Sequence, residues 1–439
     1  MKIRLLLLIS AGIILILFSC ASGPGAYAQI DGEVHAGSFV NAFNALENPG
    51  GRARKTIYNP KNEILLHLDR GMLAHYAEMY RESSSSLELA ELLIEEAFTK
   101  SISQEIGTYL LNDNVRDYSG EDYEDLYCNV FNSLNYYHEN NLEGSLVEIR
   151  RLNEKLNYLA DKYERAKKIV LDSNDQIDPG TLPMEASKFS NSALARYLGM
   201  LFYRGTGRFD SARIDSEEIY RAYDLAPDVY YHSIPSSVAD ELVIPPGMAR
   251  LNIIAFTGLS PIKEEENIII PLPLAPPNHF ARLAFPKMVN RPRSITRAEA
   301  ILDSGEIFPL ELIEDMGAVA RETFKSRHGL IVLKTTARTI IKNTTSAVAA
   351  AVISERKDES LGALVGILGK IFTEVSEQAD TRLSRYFPSH ALVGGLNLDP
   401  GDYFLTVNYY GIGGLVTSER RNISVRERSL NIEEFICLK

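Results

Sequence analysis

Residues 396–411 read Leu-Asn-Leu-Asp-Pro-Gly-Asp-Tyr-Phe-Leu-Thr-Val-Asn-Tyr-Tyr-Gly and carry the clearest β-structure signal in the chain. Pro400 has a fixed φ and Gly401 a permissive one, which together are typical of a tight turn. On both sides of the turn, apolar and polar side chains alternate with the period of a β-strand. The stretch therefore predicts two strands joined as a hairpin, with every second side chain in a core.

Besides this hairpin, the C-terminal half contains further β-like and helical segments. Short segments rich in β-branched and apolar residues occur at 250–259, 267–272, 279–285, 294–302, 391–398, 421–425 and 431–437. Helical patterns occur at 310–325, 340–353 and 361–379. Strands that enclose a helical insertion predict an α+β domain over residues 248–439. The hairpin stretch also resembles hairpins of small envelope β-sandwich modules, which implies a β-sandwich-like sheet.

Residues 55–230 instead have apolar side chains at three- and four-residue spacing, which predicts an all-α domain. We place three helical pairs there, with turns at residues 83–86, 140–141 and 205–207. The first helix begins at Asn59-Pro60, and the spacing of Ser85 and Glu88 is that of a capping box for the second. A proline-rich linker, residues 231–247, follows this domain.

The three helical pairs resemble tetratricopeptide (TPR) repeats. Small residues such as Gly71 and Ala90 stand where two helices of a repeat approach each other closely. The pairs nevertheless recur at about twice the ~34-residue period of that repeat. Stacked helical pairs usually bind a peptide or a protein. We therefore expect the helical domain to bind an envelope protein. The alternative is that this domain only supports the other half of the chain.

The N-terminus has the pattern of an export signal, in which Lys2 and Arg4 precede an apolar run at residues 5–18. Leu17-Phe18-Ser19-Cys20 is typical of a lipobox, with cleavage of a 1–19 signal peptide before a lipidated Cys20. Ala26-Tyr27-Ala28 could instead be an ordinary cleavage site that yields a soluble protein. We favour the lipobox because Ala28 lies far beyond the apolar run.

A lipidated Cys20 would hold the protein at a bacterial membrane. The absence of aspartate after Cys20 favours the outer membrane, facing the periplasm. Residues 20–54 are rich in Gly, Ala, Ser and Asn, so we expect the lipidated Cys20 and a tether there, with a short helix starting at residues 39–43.

The amino-acid composition limits the classes of partner that the protein is expected to bind. Asp and Glu number 58 against 46 Lys and Arg, for a net charge of −12, and loss of the signal peptide would make the chain still more acidic. This acidity argues against nucleic acid as a partner, because nucleic acid requires a basic surface. Cys128 and Cys437 could form a disulfide or remain two buried free thiols.

Candidate catalytic motifs do not meet the requirements of their chemistry. Residues 362–370 are glycine-spaced but lack the glycine and the hydroxyl residue of a phosphate loop. Ser260 and Lys263 have the spacing of penicillin-recognising enzymes, yet strand-like sequence surrounds them. The histidines, including His67 and His75, form no metal pattern. We predict no catalytic residue, cofactor or metal.

Acidic and basic side chains elsewhere have structural interpretations. Glu121-Asp122 and Glu124-Asp125 stand at a predicted helix start, where they suit the helix dipole. Asp380-Thr381-Arg382, with Arg338 and Lys342, could form a buried ion-pair network, or less readily a site for a carboxylate.

Several short stretches resemble a family of uncharacterised bacterial TPR-like lipoproteins. They are Leu68-Asp69-Arg70-Gly71, Asn135-Tyr136-Tyr137, Val147-Glu148-Ile149-Arg150-Arg151-Leu152-Asn153, Ala379-Asp380-Thr381-Arg382 and Leu398-Asp399-Pro400-Gly401-Asp402-Tyr403. Members of that family are often encoded beside lipoproteins that activate penicillin-binding proteins. The resemblance implies a non-enzymatic envelope accessory protein linked to peptidoglycan synthesis or outer-membrane assembly. The alternative is an envelope enzyme that acts on glycan or peptidoglycan.

Overall fold

The computed structural model describes residues 24–103, 117–172, 185–271, 280–354 and 379–439. The predicted signal peptide, Cys20 and the glycine-spaced residues 362–370 lie outside the described residues. The described α-helices are α1 Ala28–His35, α2 Phe39–Glu47, α3 Arg52–Thr56, α4 Glu63–Tyr76, α5 Tyr80–Ser103, α6 Asp122–His138, α7 Leu142–Asp172, α8 Ala193–Gly205, α9 Phe209–Leu225 and α10 Met316–Ser354.

Helices α4 to α9 form the three predicted antiparallel pairs, and local signals fix most of their ends. Glu121 caps α6 in a capping box with Glu124, while the Ser192 hydroxyl accepts a hydrogen bond from the Ala195 N–H at the start of α8. The second turn lies at residues 139–141, where Asn140 has a φ of 60°. Two of the three predicted turns are therefore confirmed.

The first predicted turn is wrong. Residues 83–86 lie inside α5, and the chain turns at residues 77–79, where Glu78 has a φ of 61°. A serine fits a helix interior where its hydroxyl can bond to a carbonyl of the preceding turn. Ser86, for example, donates to the Glu82 carbonyl over 2.8 Å.

Residues 28–54, which we assigned to a tether with one short helix, are folded. The predicted helix at residues 39–43 is α2, and α1 and α3 flank it. Ile30, Val34 and Leu46 from these helices are buried in the same core as the helical pairs. The apolar side chains are spaced at three and four residues, so burial on α4 outweighs the flexibility suggested by the Gly- and Ser-rich composition.

The described strands are β1 Ala249–Leu259, β2 Ile262–Pro271, β3 Phe280–Val289, β4 Arg297–Leu302, β5 Ile307–Asp315, β6 Pro388–Leu398, β7 Gly401–Gly411, β8 Gly414–Val425 and β9 Asn431–Cys437. Seven form one sheet in the order β8-β7-β4-β5-β6-β1-β9, in which only the β1–β9 pair is parallel. β2 and β3 form a separate antiparallel ribbon.

Both strands of the predicted hairpin are present, but they do not pair with each other. Asp399 and Pro400 join β6 to β7, but β4 and β5 lie between these two strands in the sheet. β7 pairs instead with β8, where Gly411 is opposite Gly414. A turn sequence fixes a change of direction, whereas the pairing depends on which strands the core brings together.

One predicted helix starts too early. Residues 310–325 were predicted helical, but residues 310–315 complete β5 and the helix begins at Met316. Asp315 explains the boundary, because its carboxylate accepts a hydrogen bond from the Ala318 N–H over 2.8 Å, as an N-terminal cap does. α10 then continues without a break to Ser354.

The α+β class is confirmed, but the sheet is one nearly closed sheet rather than a sandwich. Its interior is filled by apolar side chains that alternate along the strands, including Leu251, Ile253, Leu405 and Val407. The outer face of β1 and β6 packs on the helical pairs, so helices and sheet share a second core. Cys128 and Cys437 are both buried free thiols.

Candidate functional site

Helices α4, α6 and α8, which we call the inner helices, face the sheet along a seam that contains five buried carboxylates. They are Asp69, Glu124, Glu241, Glu314 and Glu434. Apolar contacts accompany them, since the rings of Phe131 on α6 and Phe256 on β1 lie 5.0 Å apart. A buried carboxylate is costly unless several donors satisfy it, so each one defines a precise contact between the two parts of the molecule.

Glu314 and Glu241 show how the seam is joined near α8. Glu314, at the end of β5, accepts hydrogen bonds from the hydroxyls of Tyr127 on α6, Ser192 and Tyr230 over 2.6–2.9 Å. Glu241 lies in the predicted linker 231–247 and is held by Arg204 of α8 at 2.8 Å and Arg250 of β1 at 3.0 Å. The linker is therefore anchored at this point to both parts of the molecule.

An extended segment, residues 379–387, lies across α4 and α6, and we call it the covering segment. The N–H groups of Ser384 and Arg385 donate to Glu124 and Asp69 over 2.6 and 2.7 Å. The Tyr76 hydroxyl donates to the carbonyl of Tyr386 over 2.8 Å. Through these main-chain contacts the chain itself occupies this face of α4 and α6.

Burial shifts the titration of the two carboxylates under the covering segment. It raises the pKa of Asp69 to about 6 and that of Glu124 to about 7. Their hydrogen-bond donors are uncharged: hydroxyls of Tyr58, Tyr118 and Ser384, and backbone N–H groups. Uncharged donors offset only part of the cost of removing a carboxylate from water.

An open cleft of about 490 Å³ lies at another part of the seam, between α1 and α2, the ends of α4 and α6, and the strands β7, β8 and β9. Among its lining residues, Glu434 has a carboxylate that bridges two imidazoles. His75 Nε2 donates to Glu434 Oε1 over 2.7 Å, and His138 Nε2 to Glu434 Oε2 over 2.9 Å. The other ring nitrogen of His75, Nδ1, donates to the Asn135 side chain over 2.7 Å.

The His75–Glu434–His138 cluster has pKa shifts opposite to those under the covering segment. Glu434 is fully buried, yet the adjacent imidazoles hold its pKa far below the ordinary range. Burial alone would lower the pKa of His75, but the Glu434 carboxylate reverses that effect and raises it. We infer that an ionised pair of His75 and Glu434 joins α4 to β9.

Three further groups shape the cleft. Arg421 Nε donates to Glu419 Oε1 over 2.7 Å, so these two charges compensate each other. The Tyr80 ring stacks on His138 with centroids 4.3 Å apart. Tyr409 also lines the cleft, and its buried hydroxyl has no hydrogen-bond partner within the described part of the chain.

The residues considered from sequence lie mostly in structural contacts. Ser260 is fully buried, and Lys263 pairs with Glu121, so this pair presents no accessible nucleophile. His67 is within 4.0 Å of Glu63 on the same helix. Glu121 and Asp122 do stand at the start of a helix, where Glu121 is the N-cap, and Asp122 pairs with Lys162 at 2.7 Å.

The Asp380–Arg382 pair is the part of the predicted ion network that the structure describes. Arg382 Nη2 lies 2.7 Å from Asp380 Oδ2, and both side chains are largely buried. The side chains of Arg338 and Lys342 lie outside the described residues. Within the described ranges, no group of three His, Cys, Asp or Glu side chains is arranged to hold a metal ion.

Sequence reasoning missed His138, Tyr409 and Glu434. Glu434 is 359 residues from His75, so no local pattern joins them. One signal was available: Glu433 and Glu434 are adjacent in a strand, and because successive side chains point to opposite faces, one of them had to point toward a packed face.

Comparisons with known proteins give no further guide. No protein-family model matches the chain, and neither does any curated protein or solved structure. Among the helices in the described part of the chain, none combines the length and the apolar character needed to cross a bilayer.

Proposed function

We propose that this protein is a lipid-anchored accessory protein of the bacterial cell envelope, held at the membrane through Cys20. In this proposal its TPR-like helical pairs bind an envelope protein, in peptidoglycan synthesis or in outer-membrane assembly. The anchor rests on the N-terminal sequence, in which a lipobox ends at Cys20. The binding surface rests on the arrangement of the helices.

Packing near the N-terminus supports cleavage before Cys20. Cleavage after Ala28 would remove Ala26 and Tyr27, and both belong to the fold. Ala26 is buried, and the Arg385 guanidinium lies 4.5 Å from the centre of the Tyr27 ring.

The observation that carries the proposed binding surface is an apolar patch on two outer helices. The sheet and the covering segment occupy the inner helices, so that face is not open to a partner. On α5 and α7, by contrast, five large apolar side chains are 37–53% exposed. Ile169 lies near the end of α7, and we call the other four the outer patch: Leu89, Leu92, Val147 and Tyr158.

Side-chain ion pairs join the two outer helices. Arg151 and Lys155 of α7 both pair with Glu91 of α5, at 2.5 and 2.9 Å. Further along, the Lys162 ammonium lies 4.1 Å from the centre of the Phe98 ring. A rim of charged residues around exposed apolar groups is typical of a protein-binding surface.

Two measurements test this proposal. Globomycin-sensitive processing, with loss of lipid labelling and of membrane association in Cys20→Ala, is expected for the anchor. Processing after Ala28 would contradict it. For the binding surface, crosslinking in intact envelopes should recover a specific partner, and Leu92→Ser combined with Tyr158→Ser should abolish that crosslink.

The matched control for the outer patch is Phe209→Ser with Ile214→Ser on α9. These side chains are 61% and 52% exposed but lie on a different helix. The control should retain the crosslinked partner. Equal loss in both double variants, or no specific partner in the wild type, would contradict a binding role for the outer patch.

A further inference from the structure

Around Glu434 the polar side chains of the cleft are paired with one another, whereas Glu78 and Lys439 line the cleft elsewhere. Arg421 is paired with Glu419, and its Nη1 donates to the Glu434 carbonyl over 2.8 Å. The Glu434 carboxylate is in turn shared by His75 and His138. A charged group placed against these paired side chains would therefore lose its hydration without gaining a free counter-charge from them.

The Tyr409 hydroxyl supplies the observation that points to a ligand. It is buried, it lines the cleft, and none of the described residues accepts or donates a hydrogen bond to it. Burial raises the pKa of Tyr409 well above its ordinary value, so the group stays a phenol and can donate. Buried hydroxyls are nearly always satisfied, and a bound hydroxyl or carbonyl oxygen would satisfy this one.

The wall of the cleft adds a flat aromatic surface beside these polar groups. The Tyr80 and His138 rings are stacked with an angle of 8° between their planes. Thr417 and Ser418 of β8 provide hydroxyls nearby, because both line the same cleft. Aromatic rings next to paired charges and hydroxyls can pack on the C–H face of a sugar while bonding its hydroxyl groups.

We propose that the seam cleft binds an uncharged saccharide of one or two sugar units. The volume of about 490 Å³ is in the range of small-molecule sites. Sugar hydroxyls both donate and accept hydrogen bonds, which matches the paired polar side chains around Glu434 and an unpartnered phenol. The site is formed by the described fold alone and does not depend on the lipid anchor.

The test is ligand-observed NMR, by saturation transfer, on the full chain in a detergent without a sugar headgroup. The probes are glucose, N-acetylglucosamine and cellobiose at millimolar concentration, with glutamate and inorganic phosphate as charged competitors. At least one saccharide should bind, and neither charged competitor should displace it. Absence of binding by all three saccharides, or displacement by a charged competitor, would overturn the proposal.

The variant Tyr409→Phe tests whether the saccharide binds in the seam cleft. It removes only the unpartnered hydroxyl, so its melting temperature should not fall, while the saccharide affinity should fall about tenfold. Tyr220→Phe, on the exposed face of α9, is the matched control and should bind as the wild type does. A lower melting temperature for Tyr409→Phe would show that the hydroxyl already has a partner in the fold, which would overturn the proposal. Tyr80→Leu tests the aromatic wall and should weaken saccharide binding as well. Equal affinity in the cleft variant and the control would overturn the proposal.

Discussion

Two parts of the helix–sheet seam bury carboxylates, but they shift the pKa of those carboxylates in opposite directions. Under the covering segment, Asp69 and Glu124 have only uncharged donors, and burial raises the pKa of each. Beside the cleft, Glu434 lies between His75 and His138, and its pKa is lowered. The charge of the partners, rather than the depth of burial, decides whether a buried carboxylate stays ionised.

The largest expected effect comes from removing the charge of Glu434. Glu434→Gln leaves His75 buried without a carboxylate, and breaking such a buried pair typically costs about 3–5 kcal/mol of unfolding free energy. Urea denaturation at neutral pH measures the change. Glu419→Gln is the control, because its pair with Arg421 is partly exposed and should cost less than about 1 kcal/mol. An equal loss of unfolding free energy in Glu434→Gln and Glu419→Gln would contradict the difference between the buried and the exposed pair.

The next effect is a pH dependence due to Glu124. Its folded pKa of about 7 exceeds the ordinary value of 4.5, so the folded protein binds this proton more tightly than the unfolded chain does. Stability should therefore fall as the pH rises from about 4.5 to about 7, by roughly 3 kcal/mol from this group.

Denaturation midpoints between pH 4 and 8, roughly the window of these two pKa values, measure this dependence. Glu124→Gln should remove about 3 kcal/mol of the fall, since it cannot ionise. Asp69, whose pKa rises to about 6, should keep a similar dependence at slightly lower pH in that variant. A wild-type curve parallel to that of Glu124→Gln would show that Glu124 titrates normally.

A smaller effect is expected where the covering segment meets α4. The Ser384 hydroxyl donates to Asp69 over 2.7 Å, so Ser384→Ala leaves a buried carboxylate with one donor fewer. The expected cost is about 1–2 kcal/mol in thermal or urea denaturation. Ser418→Ala removes an exposed hydroxyl bond to Asn408 and should change stability by less than about 0.5 kcal/mol. A Ser384→Ala protein as stable as this control would mean that the segment is not held there.

The smallest effect separates ligand binding from stability beside the cleft. Tyr409→Phe removes a hydroxyl that has no partner in the described chain, so the free energy of unfolding should rise slightly or stay within about 0.5 kcal/mol. Differential scanning calorimetry without a saccharide measures it. A clear loss of stability would show that the hydroxyl has a partner in the folded protein.

Local sequence signals predicted the elements well because each depends on neighbouring residues. The capping box at Glu121 and the glycine-containing turn at residues 205–207 fix helix ends without help from the rest of the chain. Where a local pattern fitted two structures, the prediction went wrong. Residues 310–315 are apolar enough for a helix, and pairing with β4 and β6 makes them a strand.

The pairing of strands that are far apart in the sequence could not be predicted from local signals. The turn at Pro400 was predicted correctly, but nothing near it shows that β4 and β5 separate β6 from β7. The seam could not be predicted either. His75 and Glu434 are 359 residues apart and come together only in the folded protein. The seam cleft, for which we propose a ligand, is lined by residues that these distant contacts bring together.

The most direct test of the contrast between the two parts of the seam is a pH titration of the glutamate carboxyl groups by ¹³C NMR. Signals are assigned by their loss in Glu124→Gln and Glu434→Gln. We predict that Glu124 titrates near pH 7, whereas Glu434 stays ionised throughout the range in which the protein is folded. Titration of both groups near pH 4.5, the ordinary value for glutamate, would contradict the opposite effects of uncharged and charged partners at the seam.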